Sequence, residues 1–421
     1  MTRHSTRAAL GAGALVLAGA IALTGCGSGF SGGDAGSSTG STKLTSSDKP
    51  LNILIGSSGD AETKAVNDAV SAWSKTSGIK ATVTAASDLN QQLSQGFASG
   101  SPADVFYQST DALAGYASNG SLLAYGDLLK NKDDFYPSLL KSFTYDGKLY
   151  CAPKDFSTLQ LVINTDMWAK AGLTDADVPK TWDELAAVSK KLTADGHVGL
   201  SMSGEYARVG AFMVAAGGGL MNADSTKATA DAAGNVKALD YVKGLLNDGS
   251  MKFAADLGSG WGGEAFGTQK AAMVVEGNWI TGAMTNDYPA VKYKAVELPA
   301  GPDGKKGTLQ FTNCWGISAD SKNQKAALDL VEHLTSADSQ LAFSKAFGPM
   351  PSIKSAADTW KKDNAALVPF LNGADYAQGV PTAKGANDVV TDFNGKLGSL
   401  ATGDPKAILD ATQKNLEALT K

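Results

Sequence analysis

Histidine, cysteine and arginine are scarce: each occurs three times in 421 residues. His4 lies at the extreme N-terminus, which leaves His197 and His333 for the body of the chain. No His/Cys cluster has zinc-ligand spacing, so no metal site is expected. A Ser-His-Asp triad would have to draw on two isolated histidines, and no strand–Gly-x-Ser-x-Gly–helix elbow is present. The glycine-rich stretch Gly56–Gly59 lacks the Lys-Ser/Thr of a phosphate loop. No cofactor is expected from these motifs. The 42 acidic residues leave a carboxylate pair for glycoside hydrolysis open, since so many always allow some pair. Beyond residue 26 no apolar run is long enough to span a bilayer. The net charge of −5 makes nucleic acid or an anionic lipid surface a poor partner. A chain that is 43% hydrophobic and 19% charged reads as an ordinary globular protein.

The N-terminus carries a processing signal. Arg3 and Arg7 precede an Ala/Gly-rich apolar run over residues 8–23, too short and too weakly hydrophobic for a span and suited to secretion. It ends in Leu23-Thr24-Gly25-Cys26, which resembles the lipobox of bacterial lipoproteins. That resemblance implies cleavage after residue 25 and acylation of Cys26. The alternative is ordinary secretory cleavage with Cys26 free. Residues 26–47 are nearly all Gly, Ser and Thr and read as a flexible tether. Such a coil reaches about 25 Å. Some 370 residues follow, enough for two domains.

The remainder alternates strand and helix patterns. Residues 51–55 (LNILI) read as a buried strand, and Val66, Ala69, Val70 and Trp73 mark the helix after it. Residues 79–83 and 104–107 read as further strands, with Leu89, Leu93 and Phe97 lining a helix between them. Thr181-Trp182-Asp183-Glu184 is a capping box ahead of a stripe of Leu185, Val188 and Leu192. Residues 235–247 and 323–335 are amphipathic helices; 271–275 and 293–298 are strands. The fold class is α/β, with ligands expected where loops leave the carboxyl ends of strands.

Several of these segments, in this order, resemble the extracellular solute-binding proteins of ABC importers, the family that includes maltose-binding protein. Ser77-Gly78-Ile79-Lys80 before Thr82-Val83 is similar to the family's approach to its second strand. Gly100-Ser101-Pro102-Ala103-Asp104-Val105-Phe106 follows. Leu159–Asp166 (LQLVINTD) and Pro179-Lys180-Thr181-Trp182-Asp183-Glu184-Leu185 form the most specific piece. Phe266–Met273 through Gly277-Asn278-Trp279, then Leu298–Pro302 and Gly348–Ser352, complete the series. Two departures stand out: Ile163 replaces the usual Tyr of "YNkD", and Ala103 interrupts "PD".

The resemblance implies a two-lobed, periplasmic-binding-protein-like fold of type II that closes on its ligand about a hinge. One lobe would comprise residues 48–155 and 316–350, the other 156–315 and 351–421. Crossings are expected near Pro153–Thr158, near Thr312–Trp315 and after Met350. It further implies a disulfide between Cys151 and Cys314, which would sit on adjacent crossing strands in an exported protein. The expected activity is capture of a sugar or oligosaccharide for an ABC permease, without catalysis, by a monomer anchored outside the plasma membrane.

A sugar site needs planar hydrogen-bonding groups and an aromatic platform. The resemblance places Asp60 and Asp111 at the cleft, although Asp111 is also read as a helix cap. Trp279 matches the family's stacking tryptophan. Trp261 and Trp315 are further candidates, and Ser157 and Thr158 lie on the first crossing. Arg208 is the last arginine of the processed chain, against 34 lysines, and it follows Tyr206 in a stretch that lines the family's cleft. A rigid five-donor fork in a lysine-rich protein points to a specific acceptor, either a ligand or an acid such as Glu205. Three other readings are a non-sugar solute (an amino-acid derivative, polyamine or metal chelate), a secreted carbohydrate-active enzyme, and a surface adhesin.

Overall fold

A computed structural model describes residues 43–194 and 196–420 of the chain. The expected signal peptide, Cys26 and the tether up to residue 42 lie outside the described residues. Residues 44–47, read from composition as the end of the tether, are docked. Thr45 Oγ1 donates to the Ser321 carbonyl at 2.8 Å, and the Thr45 amide donates to Gln324 Oε1 at 3.0 Å. Leu44 packs on the neighbouring core.

Ten strands form one sheet. They are β1 (Leu51–Ile55), β2 (Ala81–Ala85), β3 (Val105–Ser109), β4 (Cys151–Asn164), β5 (Val198–Met202), β6 (Met251–Phe253), β7 (Ala271–Gly277), β8 (Tyr293–Val296), β9 (Thr308–Ile317) and β10 (Ala377–Gln378). The order is β2-β1-β3-β9-β4-β7-β5-β6, with β8 on β4 and β10 on β9. β1 pairs in parallel with β2 and β3, as strand–helix–strand units require. The second expected strand starts two residues late, because Gly78 adopts a left-handed cap (φ 74°) that turns the chain before it can join the ladder.

Two long strands make this one sheet out of two lobes. β4 pairs with β9 over Cys151–Thr158 and then with β7 and β8 over Leu159–Asn164. β9 in turn pairs with β3 through Asn313–Ile317. The expected first and second crossings lie inside these strands. At the third crossing Met350 bridges Phe156, whose amide donates to the Met350 carbonyl at 3.2 Å. The Cys151–Cys314 disulfide joins β4 to β9, with Cα atoms 5.5 Å apart and both residues fully buried.

Each lobe has its own core. Helix Asp60–Ser77 buries Val66, Val70 and Trp73 against Ile53, Ile55 and Phe106 of the first lobe. In the second, Thr181 and Glu184 form the expected capping box. That cap sets Trp182 onto Tyr241, with ring centroids 4.6 Å apart, while Leu185 and Leu192 join Leu161, Ile163 and Leu200.

Candidate functional site

A cleft of about 1030 Å³ opens across the crossing strands, at the upper end of ligand-pocket sizes of roughly 300–1,000 Å³. Gly56, Ser58, Ser109 and Thr110 line one side, where loops leave β1 and β3. Asn278, Trp279 and Thr281 line the other, after β7. Lys154, Asp155, Ser157, Phe311 and Asn313 form the floor.

A β-bulge shapes that floor. Asn313 pairs with Asp155 but Cys314 pairs with Pro153, so Lys154 is the extra residue of β4. Consecutive strand residues ordinarily face opposite ways; a bulge re-aims one of them. Pro153 fits beside it because proline supplies no amide to the ladder. Lys154 and Asp155 therefore both reach the cleft.

Lys154 Nζ lies 3.1 Å from Glu62 Oε1, contacts Asp155 Oδ2, and sits 4.4 Å from the Tyr107 ring centroid. Tyr107 donates its hydroxyl to Glu62 Oε1 at 2.9 Å, and Ser58 donates both its amide and its hydroxyl to Glu62 Oε2 at 2.8 and 2.7 Å. Burial works against a charged Glu62, but Lys154 and the two Ser58 bonds outweigh it and hold the pKa below its ordinary value of 4.5. Burial would likewise lower Lys154, yet Asp155, Tyr107 and Glu62 raise it above 10.5. For Asp155 burial wins over Lys154 and the pKa is raised. Glu62 is thus committed within the protein, while Asp155 keeps acceptor capacity at the cleft surface.

Trp279 stands on the opposite wall, 38% exposed. Its Nε1 donates to Glu276 Oε2 at 3.0 Å, and the Phe311 ring meets it edge-on at 5.5 Å. Gly277 is required beneath it, because a Cβ there would overlap the indole.

The cleft therefore includes two of the expected residues, Ser157 and Trp279. Ser157 Oγ accepts the Asn278 amide at 2.9 Å, fixing the corner that carries Trp279. Asp60 and Asp111 sit in the exposed first turns of their helices, off the lining; their neighbours Glu62, Ser109 and Thr110 line it instead. Asp111 does not cap its helix, Thr110–Ser118, whose N-cap residue is Ser109 and makes no side-chain cap bond. Thr158 is fully buried and donates to the Phe370 carbonyl at 2.5 Å. Trp315 is core: it is 1% exposed and packs on Tyr107 with centroids 4.7 Å apart. Trp261 is partly buried over Gly263, off the lining. Tyr206 is buried and borders a separate cavity of about 330 Å³ with Ser138 and Gln378. Arg208 is buried behind Trp279, paired with Glu276 at 2.7 Å and with Glu205 at 3.4 Å. Glu62, Lys154, Asp155, Asn278 and Phe311 went unpredicted. Lys154-Asp155 had a signal in the sequence, an adjacent charged pair inside an apolar crossing strand. Glu62 had none.

The fold and this interlobe cleft define a protein that encloses a small solute. The chain belongs to the bacterial extracellular solute-binding protein family, whose model matches residues 68–368. Members of that family bind solutes outside the cytoplasm. The diacetylchitobiose-binding protein DasA of Streptomyces coelicolor is 27% identical over 295 residues, covering 66% of this chain and 67% of that protein. The cyclic α-maltosyl-1,6-maltose binding protein of Arthrobacter globiformis has the same fold, with a TM-score of 0.79 at 21% identity over 88% of this chain and 99% of that one. UgpB of Mycobacterium tuberculosis, solved with glycerophosphocholine, has a TM-score of 0.75 at 19% identity over 88% and 98%.

Proposed function

We propose that this protein captures a neutral sugar or short oligosaccharide between its lobes and delivers it, as a monomer, to the permease of an ABC importer. Trp279 carries the reading. It is one of two large hydrophobic side chains among the described residues that are left exposed, and it lines the cleft. A sugar ring offers C–H groups to such a face and hydroxyls to the groups around it. Asp155, Asn278, Thr312 and Asn313 supply acceptors and donors across the floor. DasA and the Arthrobacter globiformis protein are both sugar binders by name.

Charge supports a neutral ligand. The charged residues on the lining are Glu62, Asp155, Lys154 and Lys345, two of each sign, with no arginine fork to clamp a phosphate or carboxylate. The competing ligand class is a glycerophosphodiester, as held by UgpB. Acylation of Cys26 would anchor the protein at the outer face of the membrane.

Calorimetry and thermal shift of the processed protein against maltooligosaccharides, chitooligosaccharides, arabinooligosaccharides and glycerophosphocholine test this. A bound sugar raises the melting temperature, by about 2.7 kcal/mol of added stability at a hundredfold excess over Kd. A response to glycerophosphocholine alone sinks the sugar reading.

A further inference from the structure

Arg208 is the only arginine among the described residues, and it touches the back of the cleft wall without lining the cleft. It leaves helix Tyr206–Ala215 and places Nη2 2.7 Å from Oε2 of Glu276, the penultimate residue of β7. The same oxygen accepts the Trp279 indole N–H at 3.0 Å. The guanidinium carbon lies 5.3 Å from the Trp279 ring centroid. One carboxylate oxygen thus holds the edge of the ring, and one cation lies against the ring itself.

We infer that Arg208 and Glu276 are positioning residues that lock the Trp279 indole in the orientation it presents to the cleft. The inference rests on the reading of Trp279 as the ligand platform. An amphipathic aromatic at a surface ordinarily turns its polar end to water and buries its apolar body. Trp279 does the opposite: its N–H points inward to a carboxylate that is fully buried, and part of its apolar body is exposed. The indole needs an internal anchor to stay so, and Glu276 is that anchor. Glu276 in turn needs a buried cation.

Stability alone does not account for the pair. Desolvating two charges costs about as much as their attraction returns, and an apolar pair of equal volume often does as well. Glu276 Oε1 and Arg208 Nε have no hydrogen-bond partner among the described residues. Lysine, which otherwise takes the place of arginine among the described residues, is a point charge. It cannot both donate to the carboxylate and lay a flat face near the ring, which gives a reason for an arginine at this one position.

The test has a ligand-free arm and a ligand arm, using Glu276→Gln, Arg208→Lys and Trp279→Phe. With 5-fluorotryptophan incorporated, fluorine NMR assigns the Trp279 resonance as the one lost in Trp279→Phe. That resonance is expected to shift or broaden in both Glu276→Gln and Arg208→Lys, with the other six tryptophans unmoved. An unmoved Trp279 signal in both variants overturns the proposal. For the ligand arm, N,N′-diacetylchitobiose and maltotetraose are titrated by calorimetry. Arg208→Lys is expected to weaken binding about tenfold when Trp279 is present. It should have little effect in the Trp279→Phe background, which has no indole N–H to hold. Equal losses in both backgrounds would instead make Arg208 a ligand contact or a purely structural residue. If the parent binds neither sugar, the ligand arm uses whichever oligosaccharide responds in the thermal-shift screen; if none responds, the sugar reading fails and the fluorine signal still decides the positioning role.

Discussion

Cys151 and Cys314 tie the two crossing strands together where β4 enters the hinge, their Cα atoms 5.5 Å apart across 163 positions of sequence. The bond leaves the bulge at Lys154 and everything beyond it free of the cross-link, so it holds the strands without clamping the lobes. Replacing both cysteines by alanine is expected to lower stability by up to about 5 kcal/mol, the entropy-model value for so long a loop. Ligand affinity should stay within a few-fold of the parent. Chemical denaturation measures the first and calorimetry the second. Unchanged stability would show that the bond does not form in the native protein.

The Lys154–Glu62 pair predicts a pH signature. Folding lowers the Glu62 pKa, so its contribution is present above the ordinary value of 4.5 and is lost as pH falls below it through the folded pKa. Folding raises the Lys154 pKa, so its contribution is present below 10.5 and is lost only at more alkaline pH. Lys154→Met leaves Glu62 buried without its cation and should cost about 3–5 kcal/mol at neutral pH. The difference from the parent should narrow as pH falls below 4.5 and Glu62 takes up a proton. Urea titrations of both proteins at several pH values check this; a constant difference would remove Glu62 from the account.

Two tryptophans should separate binding from folding. Trp279→Ala is expected to weaken sugar binding at least about tenfold, with little change in melting temperature. Trp315→Ala removes a fully buried ring and should cost about 3–5 kcal/mol of stability. Asp155→Asn belongs with Trp279, as a loss of affinity, whereas Asp60→Asn and Asp111→Asn should leave affinity unchanged. Titration calorimetry and thermal melts of the five variants would expose any exchange of roles.

Cys26→Ala tests the anchor. The variant should appear in the culture medium or accumulate unprocessed, where the parent fractionates with membranes. A variant that partitions like the parent would mean that another element holds the protein at the membrane.

The β1 strand, the helix with Val66, Val70 and Trp73, and the Thr181 capping box were legible in the sequence. Periodicity and caps depend on neighbours within a few residues, so one sequence carries them whole. The pairing of Cys151 with Cys314 was reachable through the family's strand order. The place of Trp279 was reachable in the same way, since Gly277-Asn278-Trp279 after a buried strand matched the family's pattern of residues.

The cleft's polar groups were legible only in part, for a geometric reason. Whether a side chain at a helix start enters the cleft depends on the rotation of that first turn against the other lobe, and a shift of two residues exchanges Asp60 for Glu62. The bulge at Lys154 depends on the register between two strands far apart in the sequence, which no local pattern records. Burial likewise sent Trp315 into the core and Arg208 behind the indole. The sequence by itself determined the α/β alternation and the resemblance to the family of solute-binding proteins. The tertiary structure decided which charges meet at the cleft floor, because those contacts are made by residues from strands and helices that come together only once the lobes have folded.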